Sequence, residues 1–232
     1  MINLDENKSM IIDITSDLHS NYPFLQGGGD LLIIAGDLTS SDREKEYDDF
    51  WRWASYQDYK KVIVIAGNHD NFLQKNPDYF KDSGDNFIYL CDSGYEFEGL
   101  KIWGSPWIKK FKGINPKCCA FTVDTDEELA EKWKLIPDDT NILITHSPPH
   151  GILDKIKPRI PPRIDAMLHV GSDSLLSRVA DIKPILHCFG HTHEGYLMLD
   201  PRDDGYKDTI YVNASYVNEN YEPVNPPIRV VL

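Results

Sequence analysis

Three short apolar runs, each almost unbroken and each ending in polar residues, limit what this chain can become more than any other feature. They are "MIIDITS" (residues 10–16), "DLLIIAG" (30–36) and "KVIVIAG" (61–67). Runs of this kind suit strands covered on both faces, as in the parallel sheets of α/β proteins. Between the last two lies "SDREKEYDDFWRWASYQ". Its Tyr47, Phe50, Trp51 and Ala54 recur at the i, i+3, i+4, i+7 spacing of one helical face. Ser41, followed three residues later by Glu44, fits a capping box at the helix start. Strand, capped helix and strand make a βαβ unit.

The alternation continues. After Asp70 a short helix or loop is expected, then strands in "NFIYL" and "YEFEGLKIWGSPW", joined through "CDSG". Thr125 and Glu128 make a second capping box ahead of the amphipathic "ELAEKWKLI". "NILITH" (141–146) reads as another buried strand, "SDSLLSRVADI" as a helix, and "PILHCFGHTH" as a strand running into polar residues. "GYLMLD", "DTIYVNAS" and "IRVVL" complete the chain as strands in hairpin-like succession. Two packed sheets with helices outside are expected. At 232 residues and 41% hydrophobic composition, the chain suffices for one substantial core. Without a visible linker or repeat, residues 1–232 are expected to form one domain.

The formal charge of −13 repels polyanions, and no basic stripe offers a seat for duplex nucleic acid. An anionic substrate would need local compensation, most economically bound cations. "MINLDENKSM" has no basic segment leading into an apolar one, and no run is long enough to span a membrane. Cys91, Cys118, Cys119 and Cys188 are read as reduced packing thiols, so a cytoplasmic location without membrane contact is expected.

The polar strand ends carry the chemistry. Five apolar runs end in metal-type ligands: "SDLH" (Asp17, His19), "GDLT" (Asp37), "GNHD" (Asn68, His69), "THSPPH" (His146) and "GHTH" (His191, His193). Singly, each has a plainer reading as a turn, a helix cap or a satisfied imidazole. The residues named include five of the eight histidines, all at the same structural position. Open α/β sheets bind ligands beyond the carboxyl ends of their strands, where these groups would converge if the strands are parallel neighbours. Carboxylate, imidazole and amide without sulfur suit first-row cations such as manganese, iron or zinc. Seven ligands exceed what one tetrahedral zinc needs, and two cations sharing a carboxylate fit the count better.

In this order the blocks resemble the calcineurin-like metallophosphoesterase superfamily. The motifs are Asp17/His19, Gly36-Asp37, Gly67-Asn68-His69-Asp70, His146 and Gly190-His191-Thr192-His193. "GSPW", "KWKLIP", "THSPPHGILD", "HCFGHTHEGY" and "NAS…NPPI" are similar to the metallophosphoesterase-domain-containing branch, so the likeness covers nearly the whole chain. The resemblance implies a four-layer α-β-β-α sandwich of two mixed sheets flanked by helices. It further implies two divalent metal ions, manganese first, with iron, zinc, nickel or magnesium as alternatives. Asp17, His19 and His193 would bind one metal, and Asn68, His146 and His191 the other, with Asp37 bridging. His69 would serve as general acid, and Asp70 would orient it or cap the following helix.

The expected function is hydrolysis of a nucleotide-type phosphodiester, including cyclic nucleotides, by a metal-activated hydroxide. A phosphomonoesterase and a catalytically weak metal-binding scaffold are the alternatives. The expected partner is a small phosphoester substrate, and the oligomeric state is open. The basic segment "KIKPRIPPR" offers Arg159 and Arg163 to a substrate phosphate, or is a solvated, proline-stiffened loop. His150 falls in the turn "SPPHG" and His169 precedes "GSDS"; His187 lies inside a strand and reads as a core residue, and Asn213 in "NAS" backs the site or ends a strand.

Overall fold

The computed structural model describes residues 9–25, 27–110, 117–157, 168–204 and 208–232. The apolar runs form the first sheet, of five strands. β1 (Ile11–Thr15), β2 (Gly29–Ala35), β3 (Tyr59–Ile65) and β4 (Phe87–Leu90) lie parallel, and β15 (Ile228–Val231) is antiparallel beside β1. The second sheet runs β13 (Leu197–Leu199), β14 (Ile210–Asn213), β12 (Leu186–Phe189), β9 (Ile142–Thr145), β6 (Leu100–Ser105) and β5 (Ser93–Phe97). Two short ribbons pair β7 (Ile108–Lys109) with β8 (Thr122–Val123), and β10 (Lys155–Ile156) with β11 (Leu168–His169).

The runs lack alternation because both faces are covered. Ile12, Ile14, Ile33, Ile63 and Ile65 of the first sheet meet Ile102, Ile142, Ile144, Leu186 and Val212 of the second in one buried layer. The intervening Leu32, Ile34, Val62 and Val64 face the other way and pack on Tyr47, Phe50 and Ala54 of α1 (Glu44–Ser55). On the far side Leu143 packs with Leu129 and Trp133 of α3 (Asp126–Trp133) and with Leu175 and Val179 of α4 (Asp173–Ile182). The result is the expected sandwich of helices, sheet, sheet and helices. A short α2 (Asn71–Lys75) follows Asp70.

Three details depart from the sequence reading. Helix α1 is capped at Arg43 rather than Ser41, and the glutamate of its capping box is Glu46. The Glu46 carboxylate accepts from the backbone N–H of Arg43 at 3.0 Å and from Ser20 Oγ at 2.8 Å, so a tertiary contact sets where the helix begins. Trp51 is 38% exposed, at the edge of the helical stripe, with its indole N–H donating to the Ser83 carbonyl. Among the described residues of the second sheet, antiparallel neighbours occur only at β5–β6 and β13–β14; β6, β9, β12 and β14 are parallel neighbours. Helices α3 and α4 lie in the connections that make this possible.

The second capping box is where the sequence put it, with Thr125 Oγ1 accepting from the Glu128 N–H at 3.2 Å. All four cysteines are free. Among the described residues no helix is long and apolar enough to cross a membrane.

Candidate metal centre

The strands β1, β2 and β3 in one sheet, and β9 and β12 in the other, deliver their polar ends to a common rim. Backbone pairing continues past the strands: the Asp17 N–H donates to the Gly36 carbonyl at 2.9 Å, and the His19 N–H to that of Asp37 at 3.1 Å. The two sheets are stitched together here by the Ser16 N–H, which donates to the Ala214 carbonyl at 2.9 Å.

Turning these side chains into the rim requires unusual backbone. Asp17, His19, Asp37 and His191 have φ of 52°, 43°, 53° and 67°. Each non-glycine residue in this left-handed region costs about 1 kcal/mol or more, and such strain collects at functional sites. Two glycines permit the close approach. A Cβ on Gly67 would collide with the Asp37 carboxylate, and one on Gly190 with Ser16 and Asp17.

Asp37 sits at the middle. Its Oδ1 lies 3.4 Å from His146 Nε2, and its Oδ2 lies 3.8 Å from His19 Nε2 and 3.9 Å from His69 Nε2. Asn68 Oδ1 approaches His146 Nε2 at 3.2 Å, and Asp17 Oδ1 is 3.5 Å from His193 Nε2. The His191 ring stands 5.2 Å from that of His146, and its backbone N–H donates to both Asp17 oxygens. Three overlapping sets have donor atoms within 4.8 Å of one another: Asp17, His19 and His193; Asp17, Asp37 and His146; and His19, Asp37 and His69. All seven side chains expected as ligands therefore meet in one place.

Tautomers and charges here follow from burial and from the two carboxylates. His146 donates Nδ1–H to the Ala35 carbonyl at 2.8 Å and His193 donates Nδ1–H to that of Asn218 at 3.0 Å, so each leaves Nε2 to the carboxylates. Burial pushes the His19 imidazole down to about 4 and, with the neighbouring His146, that of His191 down to about 3. Both rings are thereby kept neutral, as a ligand must be. Burial works against ionised Asp37, yet His146 and His69 outweigh it and hold the carboxyl well below its usual range. The reciprocal effect lifts His146 to about 9 against its own burial, chiefly through Asp37.

Both ring nitrogens of His19 are buried with no hydrogen-bond partner among the described residues. Leaving such groups unpaired is costly, and a cation accepting the lone pair would satisfy one of the two. With its mixed oxygen and nitrogen donors, the cluster fits first-row divalent cations.

A second row of residues holds the first. Ser215 Oγ lies 2.8 Å from both Asp17 Oδ2 and Asn213 Oδ1, with its one proton to share between them, while Asn213 Nδ2 donates to the carbonyls of Thr192 and Leu153. Asn213 thus backs the site. Ser215 was not singled out from the sequence, although "NAS" was the available signal. Tyr221 was missed too: its ring, at φ 63°, stands 4.8 Å from that of His19 and 5.2 Å from that of His193.

Asp70 behaves differently from its expected role. Its fully buried carboxylate accepts from the N–H groups of Gly67 at 2.8 Å and Leu38 at 3.2 Å, and makes no side-chain cap for α2. Buried carboxylate oxygens need donors, and these backbone amides lie nearest. The Nδ1 of His69 is met instead by Cys118 Sγ at 3.5 Å. His69 lines a cleft beside the cluster, together with Ile108, Lys110, Ile156 and Tyr221. His187 is a core residue, its Nε2 2.9 Å from Thr145 Oγ1. Arg159 and Arg163 lie outside the described residues.

The family model for calcineurin-like phosphoesterases matches residues 10–195. Human metallophosphoesterase domain-containing protein 1 is 38% identical over an alignment 242 positions long, which spans 94% of this chain and 69% of the human protein. A UPF0046 protein of Caenorhabditis elegans is 31% identical, over 86% of this chain and 54% of its own length. One solved crystal structure superposes with a TM-score of 0.62 at 14% identity, covering 89% of this chain and 90% of that one. At that identity the likeness is one of fold.

Proposed function

This chain belongs to the calcineurin-like phosphoesterase family, and on that premise we propose that it is a metal-dependent phosphodiesterase acting on a small, nucleotide-type phosphodiester. One observation carries the reading. The Asp37 carboxylate stands among three imidazoles on a rim whose adjoining cleft has an apolar wall of Ile108, Ile156 and Tyr221. A diester has a second organic substituent to lay against such a wall, and a monoester has none.

Asp17, His19 and His193 would hold one divalent cation, Asn68, His146 and His191 the other, with Asp37 between them. Manganese is proposed first, with iron, zinc, nickel and magnesium as alternatives. Bound cations would supply Lewis-acid polarisation of the phosphoryl oxygens and a source of hydroxide near neutral pH. The chain's own residues do the rest. His69, which lines the cleft and donates its backbone N–H to Asp37 Oδ1 at 2.8 Å, would protonate the departing alkoxide. Cys118 steadies the far side of its ring. Lys110 adds a positive charge at the cleft for an anionic substrate, which the net charge of −13 would otherwise repel.

The test compares bis(p-nitrophenyl) phosphate with p-nitrophenyl phosphate on manganese-loaded protein. A higher kcat/KM for the diester is expected. A preference for the monoester would make the protein a phosphatase, and no turnover of either with the metals bound would make it a scaffold.

A further inference from the structure

Outside the metal centre, two chain segments carry the same spacing of histidine and aspartate: His150 with Asp154, and His169 with Asp173. Backbone pairing holds the segments together. The Ser172 N–H donates to the Pro148 carbonyl and the His150 N–H to that of Ser172, both at 3.0 Å, and Pro149 and Ser172 form an isolated parallel bridge. The side chains then cross over. His150 Nδ1 meets Asp173 Oδ1 at 2.7 Å, and His169 Nδ1 meets Asp154 Oδ1 at 2.5 Å. The two imidazoles stand edge to face, 5.5 Å apart. One donor atom from each of His150, Asp154 and His169 lies within 4.8 Å of the others.

We propose that His150, Asp154 and His169, with Asp173 holding the His150 ring, form a separate binding site for a divalent cation of zinc type. The donors are two imidazoles and the Asp154 carboxylate, a set that favours zinc over magnesium or calcium. Its charge is suited as well: with neutral rings the four groups carry two negative charges, which one divalent ion cancels. Each Nδ1–H given to a carboxylate leaves the Nε2 lone pair for a metal, and the carboxylate raises the basicity of that nitrogen. Asp154 is the rigid member. It is fully buried, and its Oδ2 accepts from the N–H groups of Gly151 at 3.0 Å and Gly171 at 2.9 Å. The side chains of His150, His169 and Asp173 are 42%, 36% and 77% exposed, so an ion can enter and the two rings can close on it.

The site would act at a distance on the metal centre. Leu153, inside the first segment, accepts through its carbonyl from Thr192 Oγ1 at 3.1 Å and from Asn213 Nδ2 at 3.0 Å. An ion pinning the flanking His150 and Asp154 would brace the turn that carries His191 and His193.

The test reads metal content and is independent of hydrolysis. Full-length protein and a His150→Ala/His169→Ala variant are equilibrated with zinc by dialysis and counted by inductively coupled plasma mass spectrometry. One zinc fewer per chain is expected in the variant, with an unchanged circular dichroism spectrum. Should that variant unfold, Asp173→Asn serves in its place. It spares the Asp154–His169 pair and is expected to weaken the site about 10- to 100-fold. Equal zinc affinity and content in wild type and variant overturn the proposal and leave two crossed ion pairs. A chain carrying Asp37→Asn is expected to retain this zinc, and its loss there would assign the ion to the metal centre and also overturn the proposal.

Discussion

His69 and Asp70 are neighbours in one motif and have opposite work. The His69 side chain, 13% exposed, opens on the cleft, whereas Asp70 has no exposure at all. Burial, reinforced by the charge of Asp37, raises the Asp70 carboxyl to about 7, and it remains bound by the amides of Gly67 and Leu38 with the Thr39 and Tyr47 hydroxyls at 3.4 and 3.2 Å. Asp70→Asn would set an NH₂ group against those donors. The expected cost is about 1–3 kcal/mol of stability, visible as a lower Tm. His69→Ala should leave Tm and metal content near wild type while lowering turnover about 10²- to 10⁴-fold. Loss of a metal ion from His69→Ala would instead move this residue into the ligand set with His19 and Asp37. The polar cluster itself was plain in the sequence. Asp70's partner at Leu38 was not, because 32 residues separate them and no local pattern encodes the contact.

Elements were legible wherever their signal is local. Thr125 and Glu128 lie three residues apart and form the cap of α3 as read. Helix α3 has only eight residues, so its cap is a large part of what defines it. Thr125→Ala is expected to cost about 1 kcal/mol, a fall of roughly 2–4 °C in Tm at this chain length. A wild-type melting curve for that variant would mean packing of Leu129 and Trp133 alone sets the helix. Ser41 and Glu44 offered an equally good local pattern, and it lost to Arg43 and Glu46 because Ser20 reaches Glu46 from the end of β1. The buried strands announced themselves by unbroken apolar runs, but such runs say nothing about order. That β15 pairs with β1, and that β14 lies beside β12, depends on packing across the whole chain. Ser215 escaped notice for the same reason, its hydroxyl meeting Asp17 across 198 residues.

At the scale of the molecule, the metal centre lies where two sheets meet, so cation binding and the joining of the sheets are linked. Asp17 and Asp37 are both buried there, in a chain of net charge −13. A ligand that binds only the folded state stabilises it by mass action, by about 2.7 kcal/mol at a free concentration one hundred times its Kd. For a chain of this length that corresponds to roughly 5–10 °C in Tm. Chelation should therefore lower Tm by that amount, and returning manganese should restore it. In Asp37→Asn, which removes the carboxylate standing among His19, His69 and His146, the same titration should move Tm little. The contrast separates specific binding from general screening of the acidic surface, since the variant keeps all but one of the acidic residues. A wild-type Tm indifferent to both chelator and manganese would mean that hydrogen bonds such as Ser16 to Ala214 hold the rim without any cation. The buried ring nitrogens of His19, with no hydrogen-bond partner among the described residues, would then stand as an uncompensated cost.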